Sequence, residues 1–265
     1  MAAERTYRIG MIVPSSNLTM ETELPALLRR REEVRPEERF TFHSSRMRLK
    51  DVTPEELRAM NAQVGRCATE LADAACDVVA TACLVAIMAQ GSGFHCQTER
   101  EIADVLAEEG ADAPVVSSAG ALITALRALE AKRIAIVTPY MRELTALVAS
   151  YIEGEGIVVH DSLSLEVPNN LAVAKLDPTD LVEHWRQLDL TDVDAIVLSA
   201  CVQMPSLAAI APVEELSGLP VLSAATATTF CILRALGLPT AIPGAGRLLS
   251  GAVDDRVELA LPSGS

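Results

Sequence analysis

The stretches Asp77-Val78-Val79-Ala80-Thr81-Ala82-Cys83 and Asp194-Ala195-Ile196-Val197-Leu198-Ser199-Ala200-Cys201 decide the fold. Each begins with an acid, continues as a short near-apolar run and leaves through small residues into a cysteine. A run of this kind reads as a parallel strand buried on both faces, because polar alternation is expected only where one face meets water. Ligands of open α/β sheets bind outside the carboxyl ends of the strands, where this reading puts both Cys83 and Cys201. Two thiols facing one cleft would form a catalytic pair.

Outward from these runs, short Val/Ile-rich segments alternate with longer helical periodicity, the pattern of parallel βα units. Strands are predicted at 8–14, 38–45, 77–83, 114–117, 133–138, 156–162, 194–200 and 220–223, with helices between them and one after the last. The second half of the chain also repeats the first. Arg8 to Pro14 matches Arg133 to Pro139 in character, at an offset of 125. Thr53-Pro54-Glu55-Glu56-Leu57 matches Asp177-Pro178-Thr179-Asp180-Leu181 at 124. Each of these has a capping residue, proline at the first helical position and acids in the first turn, and so predicts a helix start. The cysteines follow at 118, and Pro114-Val115-Val116-Ser117 matches Pro220-Val221-Leu222-Ser223 at 106. Any α/β chain yields some such pairs, but four in one order with a slowly drifting offset point to duplication. The expected fold is therefore α/β, with two pseudo-symmetric αβα lobes, each with a mainly four-stranded parallel sheet, and an active site in the interlobe cleft. Residues 1–116 plus 224–265 are assigned to the N-terminal lobe carrying Cys83, and 117–223 to the C-terminal lobe carrying Cys201.

Composition narrows the function. Half of the 265 residues are apolar, enough for a large core, and no stretch approaches the length of a membrane span. The opening Met1-Ala2-Ala3-Glu4-Arg5 lacks a secretory layout and the six cysteines form no CxxC pair, so free thiols in a cytoplasmic protein are expected. A formal charge of −14 disfavours nucleic acid and anionic lipid as partners. It leaves a small anionic substrate open, since helix N-termini bind carboxylates at contact distance. Aromatic residues are 3% of the chain, too few for base-stacking platforms. The four histidines are scattered without a ligand motif, and Gly91-Ser92-Gly93 and Gly244-Ala245-Gly246 lack the context of a phosphate loop. No metal and no cofactor are expected.

A thiol works as base, nucleophile or acid when its pKa lies near ambient pH, and a helix N-terminus is a common device for bringing it there. Cys83 runs into Leu84-Val85-Ala86-Ile87-Met88, a candidate first helical turn, and Cys201 into Val202-Gln203-Met204-Pro205-Ser206, whose proline and serine suit a helix start. The matched pair is therefore read as chemistry, although a single free cysteine is more often core. Cys67 and Cys231 fall in helical stretches, Cys76 ends a helix, and Cys96 follows His95 in a glycine-rich loop. Adjacent side chains point apart, which argues against His95-Cys96 as a base and nucleophile. The loop Pro14-Ser15-Ser16-Asn17 leaves the first strand with small hydroxyl and amide groups able to bind a carboxylate or to cap the next helix. Its repeat mate, Thr138-Pro139-Tyr140, offers a phenol at a strand's carboxyl end. Asn170, in the loop before Asp177, corresponds by offset to Arg46 and serves either a turn or a ligand.

With these residues quoted, the chain resembles a known family. The paired A-C strand ends, V-P-S-S-N-x-T-M-E-x-E from Val13 to Glu23, T-P-Y from Thr138 to Tyr140 and N-L-x-V-A after Asn169 look like the maleate cis-trans isomerases of the aspartate/glutamate racemase superfamily. The likeness covers about Arg8 to Leu236. It implies two α/β lobes, no cofactor, a homodimer or higher homo-oligomer, and a small dicarboxylate (maleate or fumarate) as ligand. It further implies Cys83 as nucleophile, Cys201 as proton donor, and Asn17, Tyr140 and Asn170 as carboxylate contacts. Ser15 is a further substrate-binding candidate, and Leu84, Val85, Val202 and Met204 would exclude water. Amino-acid racemases of the superfamily carry C-N-T and C-T-H where this chain has Cys83-Leu84-Val85 and Cys201-Val202-Gln203, and arylmalonate decarboxylases keep only the second cysteine. A two-thiol racemase or epimerase of a small carboxylic acid, and a non-catalytic dicarboxylate-binding protein, are the competing readings.

Overall fold

The computed structural model describes residues 5–50 and 53–253. All eight predicted strands form: β1 (Arg5–Pro14), β2 (Glu38–Met47), β3 (Val78–Thr81), β4 (Val115–Ser117), β5 (Arg133–Thr138), β6 (Val158–Ser164), β7 (Ala195–Ser199) and β8 (Val221–Ser223). They make two four-stranded, wholly parallel sheets in the orders β2-β1-β3-β4 and β6-β5-β7-β8. The two orders are the same permutation, so the sequence repeat is also a repeat of topology. In each sheet the order reverses direction beside the first strand, and the exits of that strand and its inner neighbour flank the crevice where α/β sheets bind ligands.

Among the described residues, eleven helices cover the sheets. Six belong to the first half: α1 (Met20–Val34), α2 (Pro54–Asn61), α3 (Val64–Asp73), α4 (Leu84–Met88), α5 (Phe94–Glu108) and α6 (Ser118–Ala128). The second half has α7 (Arg142–Gly154), α8 (Asn170–Val173), α9 (Leu181–His184), α10 (Leu207–Ser217) and α11 (Ala224–Ala235). The matched Pro-Val-x-Ser runs end in helix caps in both halves. Ser117 Oγ accepts the Gly120 N–H at 3.0 Å, and Ser223 forms a reciprocal capping box with Thr226. The helices they start, α6 and α11, pack against each other, and α11 also packs on α1, β3 and β4 although it follows β8 in the chain. Of the segments assigned above to the first lobe, 1–4, 51–52 and 254–265 lie outside the described residues.

The acid that opens each cysteine-bearing strand has a structural task. Asp77 Oδ2 accepts the Arg8 N–H at 2.7 Å while its own N–H donates to the Arg8 carbonyl at 2.8 Å. Asp194 repeats this, accepting from Lys132 and Arg133 at 2.8 Å and donating to the Arg133 carbonyl at 2.7 Å. At the other end, Ala82 N–H donates to the Ile12 carbonyl at 2.9 Å and Ala200 N–H to the Val137 carbonyl at 3.0 Å. Both alanines are fully buried, so a larger side chain has no room there. Register is thus pinned at both ends, and the residue after each alanine is held at a fixed height above its sheet.

Several local expectations are corrected. β3 and β7 end two residues before their cysteines, which lie in the strand exits. Cys96 sits in the first turn of α5, because Gly93, at φ +75°, turns the chain directly into that helix. His95 points inward to Tyr151, with Nδ1 2.5 Å from the phenol oxygen, and Cys96 points outward. Asn170 opens the short helix α8 capped by Asn169, and Asp177 starts only a 3₁₀ turn, Pro178–Asp180, ahead of α9.

Arg31 of α1 is fully buried. Its guanidinium pairs with Glu38 at the start of β2 and donates to the carbonyls of Pro239 and Ala241, clamping the segment after α11 to the first sheet. Removing one partner of a buried pair strands the other charge. Arg31→Met is therefore expected to lower unfolding stability by about 3–5 kcal/mol, read as a shift of the urea midpoint.

Candidate active site

Four strand exits converge on one cavity. β1 delivers Pro14 and Asn17, β3 delivers Cys83, Leu84 and Val85, β5 delivers Tyr140, and β7 delivers Cys201, Val202 and Gln203. Leu49 and Asn170 complete the lining. The cavity measures about 30 Å³, room for one or two waters. Eight of the residues singled out in the sequence for substrate contact or catalysis, namely Asn17, Cys83, Leu84, Val85, Tyr140, Asn170, Cys201 and Val202, meet here. Ser15 does not. Its hydroxyl exchanges hydrogen bonds with the backbone of Leu49, donating at 3.2 Å and accepting at 3.0 Å, and so holds the β1 exit to the segment after β2.

Among the described residues, no charged side chain lines this cavity, and no group of three or more His, Cys, Asp or Glu residues is placed to hold a metal ion. What the site offers is hydrogen-bond donors and thiols in an apolar setting. The consequence for the thiols runs against the expectation that helix N-termini lower their pKa. Burial pushes Cys83 up to about 12, only partly opposed by the Ala86 N–H. Cys201 is also raised by burial, against hydrogen bonds from the Tyr140 hydroxyl and from the Gln203 and Met204 N–H groups. The helices are too slight to win: α4 has five residues, and α10 begins six residues beyond Cys201. The Tyr140 phenol, buried and donating to Cys201, is held far above its ordinary range by that burial.

Two further residues escaped the sequence reading. Gln203 is buried with its amide fully bonded, to Ser16 and Leu18 across the cleft and to Asn170 on its own side. Glu23 of α1 accepts the Ser206 and Leu207 N–H groups, both at 2.6 Å, and the Ser206 hydroxyl at 3.2 Å. It thereby caps α10, whose Ser206 supplies no side-chain cap of its own. Burial raises the pKa of Glu23, and these donors pull the other way. The signal for Glu23 was its place on the inward stripe of α1 with Met20, Leu24 and Leu27. For Gln203 it was a lone amide in the otherwise apolar run Cys201-Val202-Gln203-Met204. The neighbouring Thr19 hydroxyl donates to the Gln203 carbonyl at 2.6 Å, a further tie between the β1 and β7 exits.

Comparisons with known proteins show which family the chain is similar to. The family model described as arylmalonate decarboxylase matches residues 9–249. A maleate isomerase of Geobacillus stearothermophilus is 58% identical over 245 residues, covering 92% of this chain and 98% of the relative. Among solved structures, the maleate isomerase of Pseudomonas putida S16, a cysteine-to-alanine variant with maleate, superposes with a TM-score of 0.92 at 56% identity, covering 94% of this chain and 99% of that one. A cysteine-to-serine variant of the Nocardia farcinica maleate cis-trans isomerase, with a covalently bound succinylcysteine intermediate, gives 0.89 at 52% identity, covering 93% and 99%.

The raised thiol predicts a chemical behaviour of the ligand-free protein. With a pKa of about 12, the Cys83 thiolate fraction grows tenfold per pH unit throughout the neutral and mildly alkaline range. Iodoacetamide alkylation of the Cys83 peptide is expected to accelerate about tenfold per unit from about pH 7 to about pH 10 without levelling. A plateau near pH 8 would show a thiol activated in the resting state.

Proposed function

The chain belongs to the maleate isomerases within the arylmalonate decarboxylase family, and from that premise we propose how its own residues convert maleate to fumarate. The observation that carries the proposal is the meeting of both thiols with Asn17, Tyr140 and Asn170 around one small, uncharged cavity. The Asn17 and Asn170 amides and the Tyr140 hydroxyl hold the two carboxylates. Cys83, partly open to solvent, loses its proton to solvent and its sulfur adds to one alkene carbon. The π electron pair moves to the other carbon, which takes the proton of the Cys201 thiol. The product is a succinyl thioether whose central bond is single and free to rotate. After rotation Cys201 takes the proton back, the pair re-forms the double bond in the trans arrangement, and the Cys83 thiolate leaves. No redox step occurs. Leu84, Val85 and Val202 keep water from the intermediate and strengthen the hydrogen bonds on the carboxylates.

The high resting pKa of the thiols suits this chemistry. A sulfur that is poorly stabilised as thiolate is a stronger nucleophile once ionised, and Cys201, protonated at rest, is ready to donate. The lobes that close on the substrate are taken as residues 1–116 plus 224–265 and 117–223, a division favoured by the packing of α11 on α1, β3 and β4. Among the described residues no helix is long and apolar enough to cross a membrane. With six free cysteines, a cytoplasmic homo-oligomer acting on a small dicarboxylate is the fitting setting.

Proton NMR of the protein incubated with maleate tests the reading, which predicts fumarate as the product. Cys83→Ala and Cys201→Ala should each lower turnover on the order of a thousandfold or more while leaving the urea midpoint little changed. Cys67→Ala and Cys231→Ala should keep most activity. A two-thiol racemase would instead exchange an α-proton of a chiral acid in heavy water, and a binding protein would do neither. Asn17→Ala, Tyr140→Phe and Asn170→Ala should each cost about tenfold or more in kcat/KM, since a charge-assisted hydrogen bond is worth about 1.5–3 kcal/mol. Unchanged kinetics in all three would move the carboxylate site elsewhere.

A further inference from the structure

We infer that Gln203 is a positioning residue that sets the spacing of the two carboxylate-binding segments, and so selects the short dicarboxylate that fits between them. The inference rests on the proposed reading of the site. Gln203 lies two residues beyond Cys201 and is 4% exposed. Its Nε2 donates to the Ser16 carbonyl at 2.7 Å and to the Asn170 carbonyl at 3.0 Å, and its Oε1 accepts the Leu18 N–H at 2.9 Å. Two carbonyls and one N–H leave no choice about which amide atom is which. The amide thus grips the β1 exit on both sides of Asn17 and the backbone of Asn170 itself. The loop carrying Cys201 is tied to both by the same side chain.

The grip has a chemical logic. The carbonyls of Ser16 and Asn170 are both acceptors and need a donor between them, and a primary amide supplies two N–H groups from one atom. Asn170 is also tied sideways, its Nδ2 donating to the Ser16 hydroxyl at 2.7 Å, so the two segments move as one unit. The partners lie 185 to 187 positions away on the first half and 33 on the second. Gln203 is therefore the side chain through which one catalytic loop reads the position of both carboxylate holders. Nothing in the reaction steps requires it to touch a reacting atom.

Gln203→Glu and Gln203→Met separate this role from simple packing. Glutamate keeps the acceptor for Leu18 but sets a carboxylate against two carbonyls. Burial and those acceptors raise its pKa, and once protonated it again donates to one of them. Relative to wild type at the same pH, Gln203→Glu is expected to raise KM for maleate about tenfold or more near pH 8, with kcat falling less. The deficit should shrink as the pH is lowered towards 6. Gln203→Met, which fills the same space without a donor, should show a similar KM increase that acid does not relieve, and it keeps the test available if the glutamate variant fails to fold. Discrimination should relax as well, with methyl-substituted maleate losing less against maleate than in wild type. The inference is overturned if both variants keep KM within twofold of wild type, or if both lose thermal stability alone with the pH profile unmoved. Absence of maleate turnover by the wild-type protein would instead defeat the functional reading itself, so the two failures are told apart by the control.

Discussion

Two thiols, Cys201 buried and Cys83 half-buried, in a cavity with no charged lining among the described residues, set the terms for the rest of the molecule. Burial holds Cys83 at about 12 and raises Cys201, so negative charge is costly wherever no donor meets it. A dicarboxylate entering such a site must find its donors already in place. The structure answers with neutral groups fixed in position: amides at Asn17 and Asn170, the Tyr140 hydroxyl, and backbone N–H groups aimed at each sulfur. Neutral donors suit a chain of net charge −14, because they act at contact distance while surface charge is screened by salt.

The fold supplies fixed positions through repetition. One βα plan used twice gives two strand pairs, each opened by an aspartate on the neighbouring strand's backbone and closed by a buried alanine bonded to it. Cys83 and Cys201 follow those alanines at matching heights. What the repeat cannot do is hold the halves together across the cleft. That task falls to side chains that have no repeat mate in role: Gln203 between the β1 exit and α8, Thr19 on the Gln203 carbonyl, and Glu23 at the start of α10. Gln203 lies two residues beyond Cys201, and Glu23 holds the Ser206 and Leu207 N–H groups a few residues further on, so interlobe cohesion and site geometry share the same bonds.

The sequence made the strands legible because parallel β-runs are short, apolar and punctuated. It exposed the repeat because proline, aspartate and cysteine recur in the same order at slowly drifting offsets. Eight of the residues it singled out, Val202 among them, line one cavity in the structure. It misjudged Ser15, which turns to the Leu49 backbone, and the sign of the thiol shifts, since a five-residue helix and a distant helix start were outweighed by burial. Gln203 and Glu23 stayed hidden for a plain reason: their partners across the cleft are more than 180 positions away, and no periodicity or local motif encodes a hydrogen bond over that span. Cys96 was misplaced by one turn of α5 because a left-handed glycine can end a loop as readily as lengthen it.

The central claim is that Cys83 forms the carbon–sulfur bond while Cys201 handles the proton. Peptide mass spectrometry on Tyr140→Phe protein, quenched during its slowed turnover of maleate, is the measurement that bears on it. One succinyl-sized adduct per chain is expected, on the peptide containing Cys83, abolished by prior alkylation of that cysteine. An adduct mainly on Cys201 would reverse the assignment. Absence of any adduct from a wild-type enzyme quenched during active turnover would contradict covalent catalysis.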